Sequence, residues 1–93
     1  MDLTGANFIG ADLREAELSN AILNQANLSG ANLGGAALSC AAIHQADLSF
    51  ADLRGADLLE TDPRGSNLSC ADLRGAVLID TRSQEATLDG CND

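Results

Sequence analysis

The sequence predicts an all-β solenoid, and three features carry that reading. Leucine recurs every fifth residue through 46–58, at Leu48, Leu53 and Leu58, with alanine two places earlier at Ala46, Ala51 and Ala56. That period of five is neither the 3.6 of a helix nor the 2 of an ordinary strand. It holds in one register along the chain: eighteen units run from Met1 to Gly90, centred on residues 3, 8, 13 and so on to 88. Finally, 93 residues are few for a conventional globular core, whereas short units at a fixed period build one by stacking. Residues 1–93 therefore read as a single domain.

Fourteen of the eighteen centres are Leu; Phe8 and Ile43 are close substitutes, and Pro63 and Ser83 are the exceptions. Fourteen of the residues two places earlier are Ala, joined by Met1, Thr61, Ser66 and Thr81. Alternation in a short strand puts the alanine and the centre on one face and the polar residue between them on the other. The next two residues must turn the chain before the following alanine points inward again. Glycine holds the second of these places in eight units, at Gly5, Gly10, Gly30, Gly35, Gly55, Gly65, Gly75 and Gly90. It supplies the positive φ that a type II turn needs there. Each unit is thus one short side and one corner, and a coil of several sides encloses a column of leucines.

Units such as Ala-Asp-Leu-Arg-Gly at 51–55 and 71–75, and Ala-Asn-Leu-Ser-Gly at 26–30, match every position of a known motif. Nearly the whole chain resembles the pentapeptide-repeat family. The resemblance implies a right-handed quadrilateral parallel β-helix with four units per coil, here about 4.5 coils. It also implies that each inward leucine stacks on the one twenty residues away. A fully buried leucine contributes about 1.5–3 kcal/mol to such a column.

Folding the sequence on that repeat distinguishes four faces. The first carries the centres Leu3, Leu23, Ile43, Pro63 and Ser83. Proline cannot donate to the neighbouring coil, serine fills little apolar volume, and Asp62-Pro63-Arg64-Gly65 reads as a turn pushed outward, so distortion is expected over 61–85. The second face shows a serine ladder at Ser29, Ser49 and Ser69, and the third stacks Arg14, Arg54 and Arg74 outside Asp12, Asp52 and Asp72. The fourth face combines Glu17, Asp57, Glu60 and Asp80 with Leu59, Val77 and Ile79, apolar residues at sites that face solvent. These seven residues form the candidate interaction surface, and neighbouring apolar residues on successive coils suggest association there.

The net charge is −9, from fourteen acids and five arginines, and there is no Trp or Tyr. Direct nucleic-acid binding is therefore not expected, since both the basic footprint and the aromatic stacking platforms are missing. No basic n-region precedes an apolar stretch and no run approaches a membrane span, so a cytoplasmic protein without membrane contact is the expectation. Cys40 and Cys70 stand thirty residues apart, one and a half coils, too far for a disulfide. Cys91 points inward in the same register. His44 has no repeating partner in its column, and nothing reads as a metal, phosphate-loop or nucleophile motif. The chain reads as a non-enzyme with no cofactor and no catalytic or metal site.

Two functions fit. The first is a structural module, an acidic rod presenting side chains to a protein partner, with a homodimer through an open end or the Leu59–Val77–Ile79 patch. Unremarkable ends favour it, because an isolated solenoid needs caps. The second is implied by the family, some of whose members mimic DNA and act on DNA gyrase. A rod of about 22 Å carries about one net charge per 2.4 Å, against about one per 1.7 Å for duplex DNA. It spans about two-thirds of a helical turn of about 34 Å, and the family's mimics tend to be longer, dimeric and loop-bearing.

Overall fold

Most five-residue units lay down one polar residue flanked by two inward ones, too short for a conventional strand but long enough for one bridge. The computed structural model describes residues 1–79. Twelve parallel bridges join these residues, each linking a residue to the one twenty later, from Asp2–Ile22 to Asp57–Val77. Four units therefore close one coil, and the chain climbs as a right-handed quadrilateral β-helix.

Three backbone hydrogen bonds per unit tie one coil to the next. In the unit of Leu23 and the one above it, the Leu23 N–H donates to Ala42 O at 2.7 Å, the Gln25 N–H donates to His44 O at 2.8 Å, and the Ala42 N–H returns to Ala21 O at 3.0 Å. The corner closes through Ala26 N–H to Leu23 O at 3.0 Å, the i to i+3 bond of a β-turn. Its third residue has positive φ at every corner among the described residues, between 57° and 75°, as a type II turn requires. Eight of these residues are not glycine: Glu15, Asn20, Gln25, Cys40, Gln45, Phe50, Glu60 and Cys70. The stacking of the coils imposes the corner whether or not the local residue favours it.

Where the middle residue of a side is polar, it has a second task. Its side-chain oxygen accepts the N–H two residues on, as Asn27 does from Ser29 at 3.0 Å and Asp57 from Leu59 at 3.0 Å. Where Ala42 lacks such an oxygen, Asn24 of the preceding coil accepts the His44 N–H instead, at 3.0 Å. The aspartates of the repeat thus satisfy turn amides that backbone bonding leaves over.

Inside, Leu23, Leu28, Leu33, Leu38, Leu48 and Leu53 are sealed between coils, with the alanines filling the space beside them. Leu3, Phe8 and Leu13 are only partly buried in the first coil. Pro63 departs from the sequence expectation: it is fully buried in the first-face column, not displaced outward. Its carbonyl closes the ordinary corner with the Ser66 N–H at 2.9 Å, and Asp62 bridges Ala42 in register. The disturbance is confined to slightly longer bonds, with Ile43 N–H to Asp62 O at 3.1 Å and Ala46 N–H to Ile43 O at 3.2 Å. The reason is directional. A centre residue's N–H faces the following coil, so proline keeps every bond to the preceding one. Thr61, also buried, donates its hydroxyl to Leu38 O at 2.7 Å. Ser83 and the rest of the expected distortion beyond residue 79 lie outside the described residues, as does Cys91.

Candidate interaction surfaces

On the fourth face the corner geometry places Leu59 and Ile79 at the same position of successive coils, with the Glu60 N–H bonded to Ile79 O at 3.0 Å. Asp57 bridges Val77 beside them. Leu59 is half-buried, whereas Val77 and Ile79 are 39% and 64% exposed. Glu60 Oε1 lies 3.8 Å from Cys40 Sγ at the adjoining corner. Five of the seven sequence-derived residues, Asp57, Leu59, Glu60, Val77 and Ile79, therefore gather on two neighbouring coils. Glu17 stands two coils away, separated by Ala37, and Asp80 lies outside the described residues. Glu17 also has a local role: its carboxylate accepts the Ser19 N–H at 3.0 Å, which lowers its pKa.

The third-face arginines are engaged within their own units. Arg14, Arg54 and Arg74 pair with Asp12, Asp52 and Asp72 at 2.7, 2.7 and 2.6 Å, and Arg54 Nε also reaches Asp72 at 3.9 Å. Hydrogen bonds from Arg14 and Arg74 hold Asp12 and Asp72 at pKa values of about 2. Such exposed pairs add little stability, and they leave the third face without an open row of cations.

The first face holds an arrangement that the sequence reading missed. His44 Nε2 lies 2.8 Å from Asp62 Oδ2, an ion-pair distance at which the ring N–H is not aligned for a hydrogen bond. Arg64 binds the same carboxylate through Nε and Nη2 at 2.8 and 2.6 Å, which together with His44 pulls Asp62 well below the usual carboxylate range. Beside them Gln25 Nε2 donates to Gln45 Oε1 at 3.3 Å across the coils. Asn24, Gln25, His44, Gln45, Arg64 and Gly65 line a shallow hollow. The signal was present in the twenty-residue register, which stacks Asn24, His44 and Arg64 in one column and Gln25, Gln45 and Gly65 in the next. His44 was read along its column alone, without the Asp62 side beside it.

Cys40 is a free, exposed thiol, so it does not pair with Cys70. Among the described residues no three His, Cys, Asp or Glu side chains converge as a metal site, and no helix is long and apolar enough to cross a membrane.

Bridges at twenty-residue spacing, type II corners and a leucine column define a quadrilateral β-solenoid. The family profile of pentapeptide repeats matches eight copies, over residues 2–39, 46–82 and 64–92, and the chain belongs to that family. It is similar to the crystal structure of the pentapeptide-repeat protein Rfr23 from the cyanobacterium Cyanothece 51142, at TM-score 0.91 and 34% identity, over 95% of this chain and 60% of that one. A pentapeptide-repeat protein of Nostoc Pcc 7120 superposes at TM-score 0.80 with 37% identity, over 94% of this chain and 76% of the other. One from the thylakoid lumen of Arabidopsis thaliana does so at 0.61 with 35% identity, over 81% and 59%. The chain thus spans about three-fifths of the length of the first and third of these relatives. No curated protein sequence matches it.

Proposed function

We propose that the chain is a non-enzymatic interaction module, an acidic rod that presents its fourth face to a protein partner. One observation carries the reading: Leu59, Val77 and Ile79 gather on adjacent coils, with the latter two exposed, beside Asp57 and Glu60. A rigid solenoid spaces such residues at about 4.8 Å per coil, and apolar side chains grouped with a charged rim suit a protein surface. The second copy of the chain is one such partner. Sedimentation at high micromolar concentration tests this: a dimer that Leu59→Glu with Ile79→Glu dissolves is expected, and a monomeric wild-type protein removes self-association. A dimer that survives the substitutions assigns pairing to the coil ends. There the N–H and C=O groups of Asp2, Asn7, Asp12 and Glu17 meet no backbone partner among the described residues.

The competing function, a DNA mimic acting on an enzyme such as gyrase, draws on the net charge of −9. Asp12, Asp52, Asp62 and Asp72 are each paired with an arginine and add nothing to that net charge, and Asp2, Asp47 and Asp57 serve as turn acceptors. Salt-sensitive inhibition of supercoiling by the purified chain supports the mimic; its absence at saturating protein favours the module.

A further inference from the structure

We propose that Cys70 and Cys91 form a redox-sensitive disulfide clip that closes the last coil of the solenoid. Cys70 is disulfide-bonded, whereas Cys40 is a free thiol. The chain has three cysteines, so Cys91 is the partner that remains within it. Burial sets Cys70 apart as well. Every other described residue at this corner position, from Gly5 to Gly75, is exposed, and Cys70 is half-buried. A side chain whose register turns it toward solvent is therefore covered.

The twenty-residue register brings the pair within reach. Cys91 follows Cys70 by one coil and one residue. A coil rise of about 4.8 Å and a chain step of about 3.8 Å separate such Cα atoms by about 6 Å, inside the disulfide span of about 4.4–6.8 Å. Cys91 lies outside the described residues, and the sequence register alone places it there. The clip answers a need of the fold, because the last coil of a solenoid has a neighbour on one side only and must be capped. Leu33 and Leu38 are sealed, whereas Leu73 is partly buried and Leu78 is 42% exposed. A bond from Cys70 to Cys91 makes one complete coil a covalent ring and restricts the unfolded chain. Val77 and Ile79 lie inside that ring, so its redox state sets how firmly they are held. The bond forms by exchange with a low-molecular-weight disulfide. One cysteine thiolate attacks that disulfide and expels a small thiol; the second attacks the mixed disulfide and expels the other. The two protein thiols lose two electrons and two protons, and the small disulfide leaves as two thiols. The clip does not depend on the interaction-module reading.

The test is a tryptic map of the intact chain after equilibration with glutathione disulfide and alkylation of the remaining thiols. Cleavage after Arg14, Arg54, Arg64, Arg74 and Arg82 puts Cys40 in peptide 15–54, Cys70 in 65–74 and Cys91 in 83–93. Peptides 65–74 and 83–93 joined by a bond that reductant splits, with Cys40 alkylated, are expected. Alkylated Cys70, or Cys70 bonded to Cys40 or to a second chain, overturns the pairing. Thermal melts test the clip as a cap. Reduction should lower the Tm of the wild-type protein by about 10 °C or more, and equally in Cys40→Ser. Cys91→Ser should start at the lower value and ignore reductant. Hydrogen exchange on the wild-type chain keeps the proposal falsifiable if that variant fails to fold. Amides of 71–79 should exchange faster after reduction while those of 21–58 keep their rates. A Tm or an exchange pattern indifferent to reductant overturns the capping role.

Discussion

Glu15→Gly should stabilise the protein, although the same exchange in an ordinary strand weakens it. Glu15 occupies a corner at φ 59°, is exposed, and belongs to a chain already carrying −9. A non-glycine residue in the left-handed region costs about 1–2 kcal/mol. Glycine gives back about 0.4–1 kcal/mol through the greater freedom of its unfolded chain. The difference favours the variant by about 0.5–1 kcal/mol, with only an exposed side chain lost. The mirror exchange, Gly5→Ala, has open space around the added Cβ but φ of 72°, so strain acts alone. It should cost about as much as Glu15→Gly gains. Urea unfolding read as a midpoint shift at constant slope measures both, and a domain of this size moves its Tm by about 4–8 °C per kcal/mol. A loss of stability in Glu15→Gly would refute the claim that the coils hold these corners against local preference.

Leu33→Ala, at a fully buried site between Leu13 and Leu53, should cost about 2–5 kcal/mol, and Leu3→Ala in the half-buried first coil clearly less; equal losses would deny the stacked column. Acid should destabilise the rod in a defined window. The folded pKa of Asp12 and Asp72 is about 2, below the 3.8 of a free aspartate, so the unfolded chain binds more protons between those values. Stability is then full above about pH 4 and declines as pH falls toward 2. Thermal melts across that range check this, and Asp12→Asn with Asp72→Asn, which keeps the turn acceptors, should shrink the decline. Thr61→Val removes a buried hydroxyl that donates to Leu38 O at 2.7 Å, and a loss of about 1 kcal/mol is expected from the same melts.

How much was legible in the sequence depended on whether a feature repeats. The leucine and alanine columns, the twenty-residue register implied by the family and the positive-φ corners are periodic, and each appears in the structure at its expected place. Asp62-Pro63-Arg64-Gly65 was misread because local turn chemistry and the regular corner use the same residues. Only the direction of the missing N–H tells that the proline stays in the column. The Asp62–His44–Arg64 cluster was not legible along the columns, because it forms across two coils and between the side and the corner of one face. On the fourth face the register correctly brought Leu59 beside Ile79. Glu17 was grouped with them by face alone, without its height along the rod. The acidity was read as a surface property, whereas the side-chain oxygens of Asp2, Asp12, Asp47 and Asp57 accept turn N–H groups.

A photo-crosslinking amino acid placed singly at Leu59, Ser29 and Arg54, on the fourth, second and third faces, tests the interaction reading most directly in the native host. The account predicts a discrete protein adduct from position 59 and none from positions 29 and 54. Adducts of equal yield from all three, or from 29 or 54 alone, would contradict it.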